Sequence, residues 1–510
     1  MILRDISARH CAIPTLALLV AGCTVGPNFV RPAAPDVTRY TQAPLGPTAS
    51  APNVAGGESQ RFLDGQDIPA GWWELFESPP LNVLVERALK ANPDLKAAEA
   101  ALTAAHENML AQRGGYFPAV SASFAASRSK TSAELSPTPN SGALLFNLFT
   151  PEVSVSFLPD VFGLNRRLVE SMAATEQQTR FELTATYLAL TANVVVAAIQ
   201  EAGVREQIRT TRELIASGEK SLDVLRQQQT RGYASRLDVA AQEAQVAQAS
   251  ATLPPLLKQL AQQRDLLAAL SGALASEGLP EQFELSQLKL PQELPLSVPS
   301  RLIEQRPDVR QAEENLHIAS AQIGVAVANR LPNFTITADV GASALTLGSL
   351  TASDAGFSDL GAQVTQPIFQ GGALMHKERA ARAACLQAQQ QYRSAVIAAF
   401  QNVADTLAAL EHDAEALRAS AASTEAARVT LDVVRAQQRA GYASYLQLLG
   451  AEQAYQTALN AQVQGQINRY ADTAALFQAL GGGWWNRSDE RMGGLHPERN
   501  LQSARPHELR

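Results

Sequence analysis

FTITADV, Phe334 to Val340, alternates without a break: Phe334, Ile336, Ala338 and Val340 are apolar, and Thr335, Thr337 and Asp339 between them are polar. Period-two alternation reads as a strand with one apolar and one small polar face. Three other stretches repeat it. Val120, Ala122, Phe124 and Ala126 alternate with Ser121, Ser123 and Ala125; Val153, Val155 and Phe157 with Ser154 and Ser156; Leu360, Ala362 and Val364 with Gly361, Gln363 and Thr365. The strands are expected near 117–127, 151–158, 332–344 and 357–367. Runs of about ten such residues are the mark of a transmembrane β-barrel, lipid outside and water inside. A half-buried sheet in a soluble domain is the bland alternative for any one of them.

Four strands do not close a water-filled barrel, since outer-membrane barrels begin at about eight. An open edge in lipid leaves backbone N–H and C=O groups without partners. The chain is therefore expected to pool strands with copies of itself. Two copies would make a barrel of about eight strands, filled by side chains; three would make about twelve, wide enough for a lumen. The small polar inner face fits the wider case.

The remainder of the chain is of a different kind. Its 510 residues carry a net charge of −7 and few aromatics. An acidic chain argues against nucleic acid as the partner, because phosphate binding needs a basic surface. Ala, Gln, Leu and Glu dominate, a helix-forming composition. After the N-terminus no run of about eighteen apolar residues occurs, so no membrane-spanning helix is expected in the mature chain.

Residues 1–22 read as a signal peptide. Arg4 and Arg9 form its basic end and Ala12 to Ala21 a short apolar stretch. It ends in LVAGC, Leu19 to Cys23, which resembles a bacterial lipoprotein box with Cys23 as the acylated first mature residue. Thr24 follows it where an Asp would hold a lipoprotein back, so by that resemblance sorting is to the outer membrane. Cys11 leaves with the signal, and Cys385 then has no disulfide partner. Residues 23–70, rich in Pro, Gly and Ala, read as an extended tether from the lipid. The Gly- and charge-rich 483–510 read as a flexible tail.

Between tether and tail the chain is a tandem duplication, 71–285 and 286–482. ANPDLKAAEAAL, Ala91 to Leu102, answers to QRPDVRQAEENL, Gln305 to Leu316, and Pro118 falls on Pro332. Each repeat has a helix, two strands, a very long helix and a return helix. The helices are expected at 164–231 and 235–272, then at 373–439 and 444–480. About 65 helical residues extend roughly 100 Å, and such a helix survives only by packing along its length. Tyr187, Val194, Ile208, Ile215 and Leu222 make a seven-residue ladder that Glu201 interrupts; Val403, Leu410, Leu417 and Leu431 make another. These are coiled-coil seams. Pro254-Pro255 is expected to break the first return helix.

Each long helix ends in the same four residues, GYAS. Gly232 and Gly441 stand where a left-handed residue closes a helix, and Ser235 and Ser444 where an N-cap opens the next. Ser444-Tyr-Leu-Gln447 is a capping box and Ser235-Arg-Leu-Asp238 a near one. Turn chemistry accounts for Gly and Ser. It leaves Tyr233 and Tyr442, aromatics at an exposed tip, for partner docking.

Taken in order, these segments resemble the TolC-like, OprM-like outer membrane factors, the NodT-type efflux lipoproteins, over about Cys23 to Gly483. CTVGPNFVRP, GWWELFESPPLNVLVERALKANPDL and SVPSRLIEQRPDVRQAEENLHIASAQIGVAVANRLPNF carry the likeness. The resemblance implies a mainly α homotrimer with membrane β. Four strands per chain would form a twelve-stranded outer-membrane barrel continuous with a long periplasmic α-helical coiled-coil barrel. It implies a passive duct in a tripartite efflux system, with a periplasmic adaptor and an inner-membrane pump of the RND type as partners. Gly232, Tyr233, Ala234 and Ser235, with Gly441, Tyr442, Ala443 and Ser444, would be the adaptor-docking tips. The periplasmic aperture would fall at Leu446. Gly450 takes a position that is often Asp in relatives, which weakens an acidic ring there; Glu452 or Asp238 would have to substitute.

No G-x-S-x-G, H-E-x-x-H, P-loop or dinucleotide fingerprint occurs, and the histidines are scattered, so neither enzyme, cofactor nor metal site is expected. A secretion duct of the same fold is the nearer rival, which the lipoprotein box and efflux-type motifs disfavour. A lipid-anchored coiled-coil protein without a pore is the more distant one, and the four strands disfavour it. The exported substrate is not legible, because a wide wetted lumen selects little.

Overall fold

The computed structural model describes residues 24–130, 132 and 145–487; the signal peptide and Cys23 lie outside them. In chain order the elements are β1 (Arg61–Asp64), α1 (Pro79–Ala91), α2 (Pro93–Arg113), β2 (Ala119–Lys130), β3 (Leu145–Phe157), α3 (Leu164–Thr230) and α4 (Arg236–Leu270). Then follow β4 (Glu293–Leu296), α5 (Pro299–Gln305), α6 (Pro307–Ala328), β5 (Asn333–Ala342), β6 (Gly356–Thr365), α7 (Ala373–Arg439) and α8 (Tyr445–Ala479). Two compact units emerge. One takes Ala101–Thr179, Ala312–Tyr392 and the described part of Met1–Pro32; the other takes Ala33–Ala100, Arg180–Gln311 and the described part of Arg393–Arg510. The duplication thus does not produce two separate domains. Each unit joins matching pieces of both repeats, because their strands share one sheet and their helices share seams.

The first unit holds the four-stranded sheet, ordered β2-β3-β5-β6 and antiparallel throughout. Its register brings apolar residues together across the strands. Val120 faces Val155, Val155 faces Ala338, and Ala338 faces Leu360. The polar residues align on the other face: Ser121, Ser154, Asp339 and Asp359 form one row. A one-residue slip would exchange the faces, so the pattern itself fixes the pairing. Val120, Phe124, Ile336, Val340, Leu360 and Val364 are between 40% and 79% exposed, so the apolar face is largely open among the described residues. β3 starts at Leu145, earlier than the alternation indicated, because Leu145–Thr150 pair with Ala125–Lys130 of the longer β2.

The tether is not free. In the first unit the Val25 N–H donates to the Phe162 carbonyl at 3.1 Å. Arg167, nearly buried, donates to the Val25 carbonyl at 3.0 Å, the Gly26 carbonyl at 3.2 Å and Asn28 Oδ1 at 2.9 Å. In the second unit β1 pairs in parallel with β4, and Gln60 is wholly buried, donating to the Pro291 carbonyl and to Thr473. Arg469 donates to the Leu410 carbonyl, Thr48 Oγ1 and the Glu58 carbonyl. A Pro- and Gly-rich segment looks unstructured by periodicity, yet long polar side chains fasten its backbone. The tail likewise starts packed: Trp484 is 5% exposed and its Nε1–H donates to the Gln305 carbonyl at 2.7 Å.

The long helices follow their ladders. Tyr187, Val194, Ile208 and Leu222 are buried on α3, as are Val403, Leu410, Leu417 and Leu431 on α7. Glu201, the interruption, is also fully buried. Its Oε1 accepts from Arg205 Nη2 at 2.7 Å and from Arg264 Nη1 at 3.0 Å, so an ion triad fills the seam there. One stretch of α3 is apolar enough to span a membrane by length and composition, and most of it is buried among neighbouring helices, the signature of a core helix. The expected break at Pro254-Pro255 is corrected: α4 runs through both. The prolines remove two ladder donors.

Candidate functional site

Both GYAS stretches form the same tip. Gly232 has φ +80° and Gly441 φ +81°, the left-handed region that side chains with a Cβ adopt only at a cost. The Tyr233 N–H donates to the Gln228 carbonyl at 2.8 Å and the Gly232 N–H to the Gln229 carbonyl at 2.9 Å. Tyr442 and Gly441 repeat this with Gln437 and Gln438, at 2.8 and 3.1 Å. This paired closure satisfies the last carbonyls of each long helix. Ser235 and Ser444 then cap the return helices, each in a complete capping box, with Asp238 and Gln447 as the reciprocal partners. Capping thus settles the backbone and leaves the tyrosines out of it: Tyr233 is 83% and Tyr442 87% exposed.

Behind the tips the two helix pairs pack on each other. Leu222, Leu225 and Val239 of the first meet Leu431, Tyr445, Leu448, Leu449 and Ala451 of the second. The Tyr445 hydroxyl donates to Gln242 Oε1, and Gln242 Nε2–H donates to the Gly218 carbonyl at 2.8 Å. Burial raises the Tyr445 pKa, and the charges of Glu452 and Asp238 add to this, so the phenol keeps its proton. Each pair also carries an internal ion pair, Arg226–Glu243 at 2.8 Å and Arg435–Glu452 at 3.1 Å. These are the same two positions of the repeat.

The four aperture candidates divide. Leu446 is 75% exposed, and Gly450 opens onto empty space. Asp238 is engaged by Ser235 in the cap. Glu452 is 4% exposed and its Oε1 accepts from Arg435 Nη2 at 3.1 Å, the ion pair internal to its own helix pair. Sequence reading missed Tyr445 and Gln242. The repeated spacing of Arg226 with Glu243 and Arg435 with Glu452 was available as a signal. Among the described residues no group of His, Cys, Asp and Glu is arranged to hold a metal ion.

An antiparallel sheet with an exposed apolar face, joined in one chain to helices of 67 residues with closed tips, defines a channel-class protein of the bacterial envelope. The outer membrane efflux protein family model matches the chain twice, over residues 84–273 and 298–482, and the chain belongs to that family. The toluene efflux pump outer membrane protein TtgC of Pseudomonas putida is 29% identical over 480 residues, covering 94% of this chain and 96% of that one. The solved outer-membrane channel OprN is 26% identical, with a TM-score of 0.80 over 91% of this chain and 100% of that one. The open-state outer membrane channel MtrE of Neisseria gonorrhoeae is 25% identical with a TM-score of 0.77, covering 92% and 100%. The protein is thus an outer-membrane efflux channel component.

Proposed function

We propose that the chain is the exit duct of a tripartite efflux system, working as a homotrimer with a periplasmic adaptor and an inner-membrane pump. Among the described residues the outer edges of β2 and β6 have no strand partner, while the apolar face of the same sheet is exposed. That observation carries the reading: a lipid-facing sheet with open edges is stable only when its backbone groups find partners in further copies. Three copies supply twelve strands and a lumen lined by Ser, Thr and Gln. The helices then carry the passage into the periplasm, and the tips, with Tyr233 and Tyr442 foremost, are the adaptor-docking surface. Cys23 carries the lipid. The duct is passive and has no catalytic role; it passes small toxic compounds, and the pump and adaptor choose among them.

Reconstitution into planar lipid bilayers tests this. Purified mature protein should add discrete conductance steps to the membrane, and voltage or the docking of an adaptor should change how long they stay open. A protein that inserts and never conducts under any of these conditions would remove the duct.

A further inference from the structure

The charged residues of the four-stranded sheet are sorted by face. Its strands carry Arg128 and Lys130 in β2, Glu152 in β3, Asp339 in β5 and Asp359 in β6, and no other charge. Directly opposed residues of antiparallel strands share a face, so the register places each one. Glu152 stands opposite Ser123 and Gly341, and Asp339 opposite Ser154 and Asp359, all on the small polar face. Arg128 and Lys130 continue the series Val120, Ala122, Phe124 and Ala126, with Asn147 and Leu145 opposite them, and so belong to the apolar face. Every carboxylate of these strands is turned from lipid, and both cations are turned to it.

Height decides what the cations meet. The helices α2, α3, α6 and α7 all join the sheet at one end, where Ala119, Phe157, Asn333 and Thr365 stand. Lys130 and Leu145 stand at the opposite end. With the helices in the periplasm, that end lies at the outer leaflet. From Val120 to Arg128 the strand rises about 27 Å, which is about 21 Å along the membrane normal at the usual barrel tilt, and Lys130 comes about 5 Å higher. The lipid-facing apolar band of such barrels is about 25 Å tall. Phe149, opposite Ala126, therefore stands at the level of an interfacial aromatic girdle, and the two cations lie just beyond it. A charge facing lipid costs little at that depth, and long basic side chains reach from it to the headgroups.

The fold does not require these cations. The repeat alignment that sets Pro118 on Pro332 sets Arg128 on Ala342 and Lys130 on Ala344, so the second repeat reaches the same height with alanines. Arg128 and Lys130 are exposed, and no carboxylate of the strands shares their face. Their Cα atoms are about 7 Å apart, close enough for both side chains to reach one phosphate group or two adjoining ones. A guanidinium takes phosphate through two parallel hydrogen bonds, and an ammonium takes it as a point charge.

We propose that Arg128 and Lys130 hold the phosphate groups of a phosphorylated glycolipid, the lipopolysaccharide of the outer leaflet, against the outer end of β2. This rests on the duct reading, which sets the helices in the periplasm and the apolar face in lipid.

Binding of deep-rough lipopolysaccharide to the detergent-purified mature protein is read by native mass spectrometry, which reports bound glycolipid and chain copies in the same spectrum. A basic residue at an anionic lipid surface contributes about fivefold, so Arg128→Gln with Lys130→Gln should weaken binding about 25-fold. Arg379→Gln, which removes an exposed cation of α7, should leave it unchanged. Removing the lipid's phosphates with a phosphatase should cost the natural chain the same factor and the double variant nothing further. That arm needs no substitution, so it stands should the double variant fail to assemble. Inorganic phosphate should displace no more glycolipid than chloride does at the same ionic strength; specific displacement would make this a site for the free anion and overturn the lipid. Equal binding by the natural chain and the double variant, or of the lipid with and without its phosphates, overturns the proposal and leaves an oligomeric duct standing. A monomer in the same spectra overturns the duct reading as well.

Discussion

His317→Gln should loosen the start of the mature chain without touching the sheet or the tips. The His317 ring stacks on Phe29, centroids 4.3 Å apart at 14°. Its Nε2 lies 3.2 Å from Glu170 Oε1 and its Nδ1 3.3 Å from Glu314 Oε2. Glu170 also takes Arg167, the side chain that holds the backbone of Val25 and Gly26. Burial opposes a charge on the ring, but hydrogen bonds to the two carboxylates overcome it and push the His317 pKa up to about 9. Against an ordinary value near 6.5, that difference is worth about 3 kcal/mol. Solvent screening at this partly exposed site reduces it to about 2 kcal/mol. The sign follows from linkage. A pKa raised in the folded chain gives stability that is complete below about pH 6.5 and is lost as pH rises through about 9. Glu170 acts in the opposite sense. Burial works against its charge, the bonds from His317 and Arg167 prevail, and its pKa is lowered, so its contribution fades as pH falls below the ordinary carboxylate range. Amide exchange of a peptide covering residues 24–31, corrected for intrinsic rates, reads this out. At pH 6.5 His317→Gln should raise the opening constant by about 30-fold, the equivalent of ~2 kcal/mol. The natural chain should approach the variant by pH 9 to 10. Equal protection in both chains at pH 6.5, or protection in the natural chain that ignores pH across that window, would refute the charged clasp.

Other perturbations separate turn, core and docking. Gly441→Ala meets open space but forces φ +81° on a Cβ, so the tip should lose about 1–2 kcal/mol, seen as faster exchange of the Tyr442 amide. Gly450→Ala, inside α8 and also facing open space, should instead add up to about 1 kcal/mol to local helix stability by the same measurement. Glu201→Ala leaves Arg205 and Arg264 without their shared carboxylate and should cost about 3 kcal/mol, a marked fall in the melting temperature of the detergent-purified protein. Burial and the neighbouring Asp413 carboxyl push Asp472 up to about 7. A raised acid favours the fold while protonated, so stability should decline between about pH 4 and 7, and Asp472→Asn should flatten that decline and melt higher at pH 8. Tyr233→Ala with Tyr442→Ala should sensitise cells to the exported compounds while the oligomer and its conductance stay unchanged; wild-type resistance in the double variant would remove the tyrosines from docking.

Much of this molecule is legible because its two periodicities are so different. A strict alternation over Phe334–Val340 leaves few readings other than a strand, and the ladder from Val403 to Leu431 few other than a long seam. The capping residues of the tips are equally plain, since Gly and Ser act through their own backbone. Other features depend on partners distant in sequence. The outer half of β3, Leu145–Thr150, has no alternation and is a strand only because β2 extends beside it. Glu201 looks like a fault in its ladder until Arg264, from the return helix, is beside it. Gln60 and Arg469 give the Pro-rich segment a place that composition hides. Glu452 looks solvated in its own stretch of sequence and is buried against Arg435, 17 residues before it. Tyr445 and Gln242 bond across two repeats, beyond any local pattern.

A closed duct depends on the number of copies. Native mass spectrometry of the mature protein, extracted from membranes in detergent, measures it directly. Three copies are expected, each with lipid on Cys23, giving twelve strands and no open edge. A stable monomer would leave β2 and β6 bare in lipid and contradict the barrel, and a lipid-anchored rod without a pore would then describe the chain better.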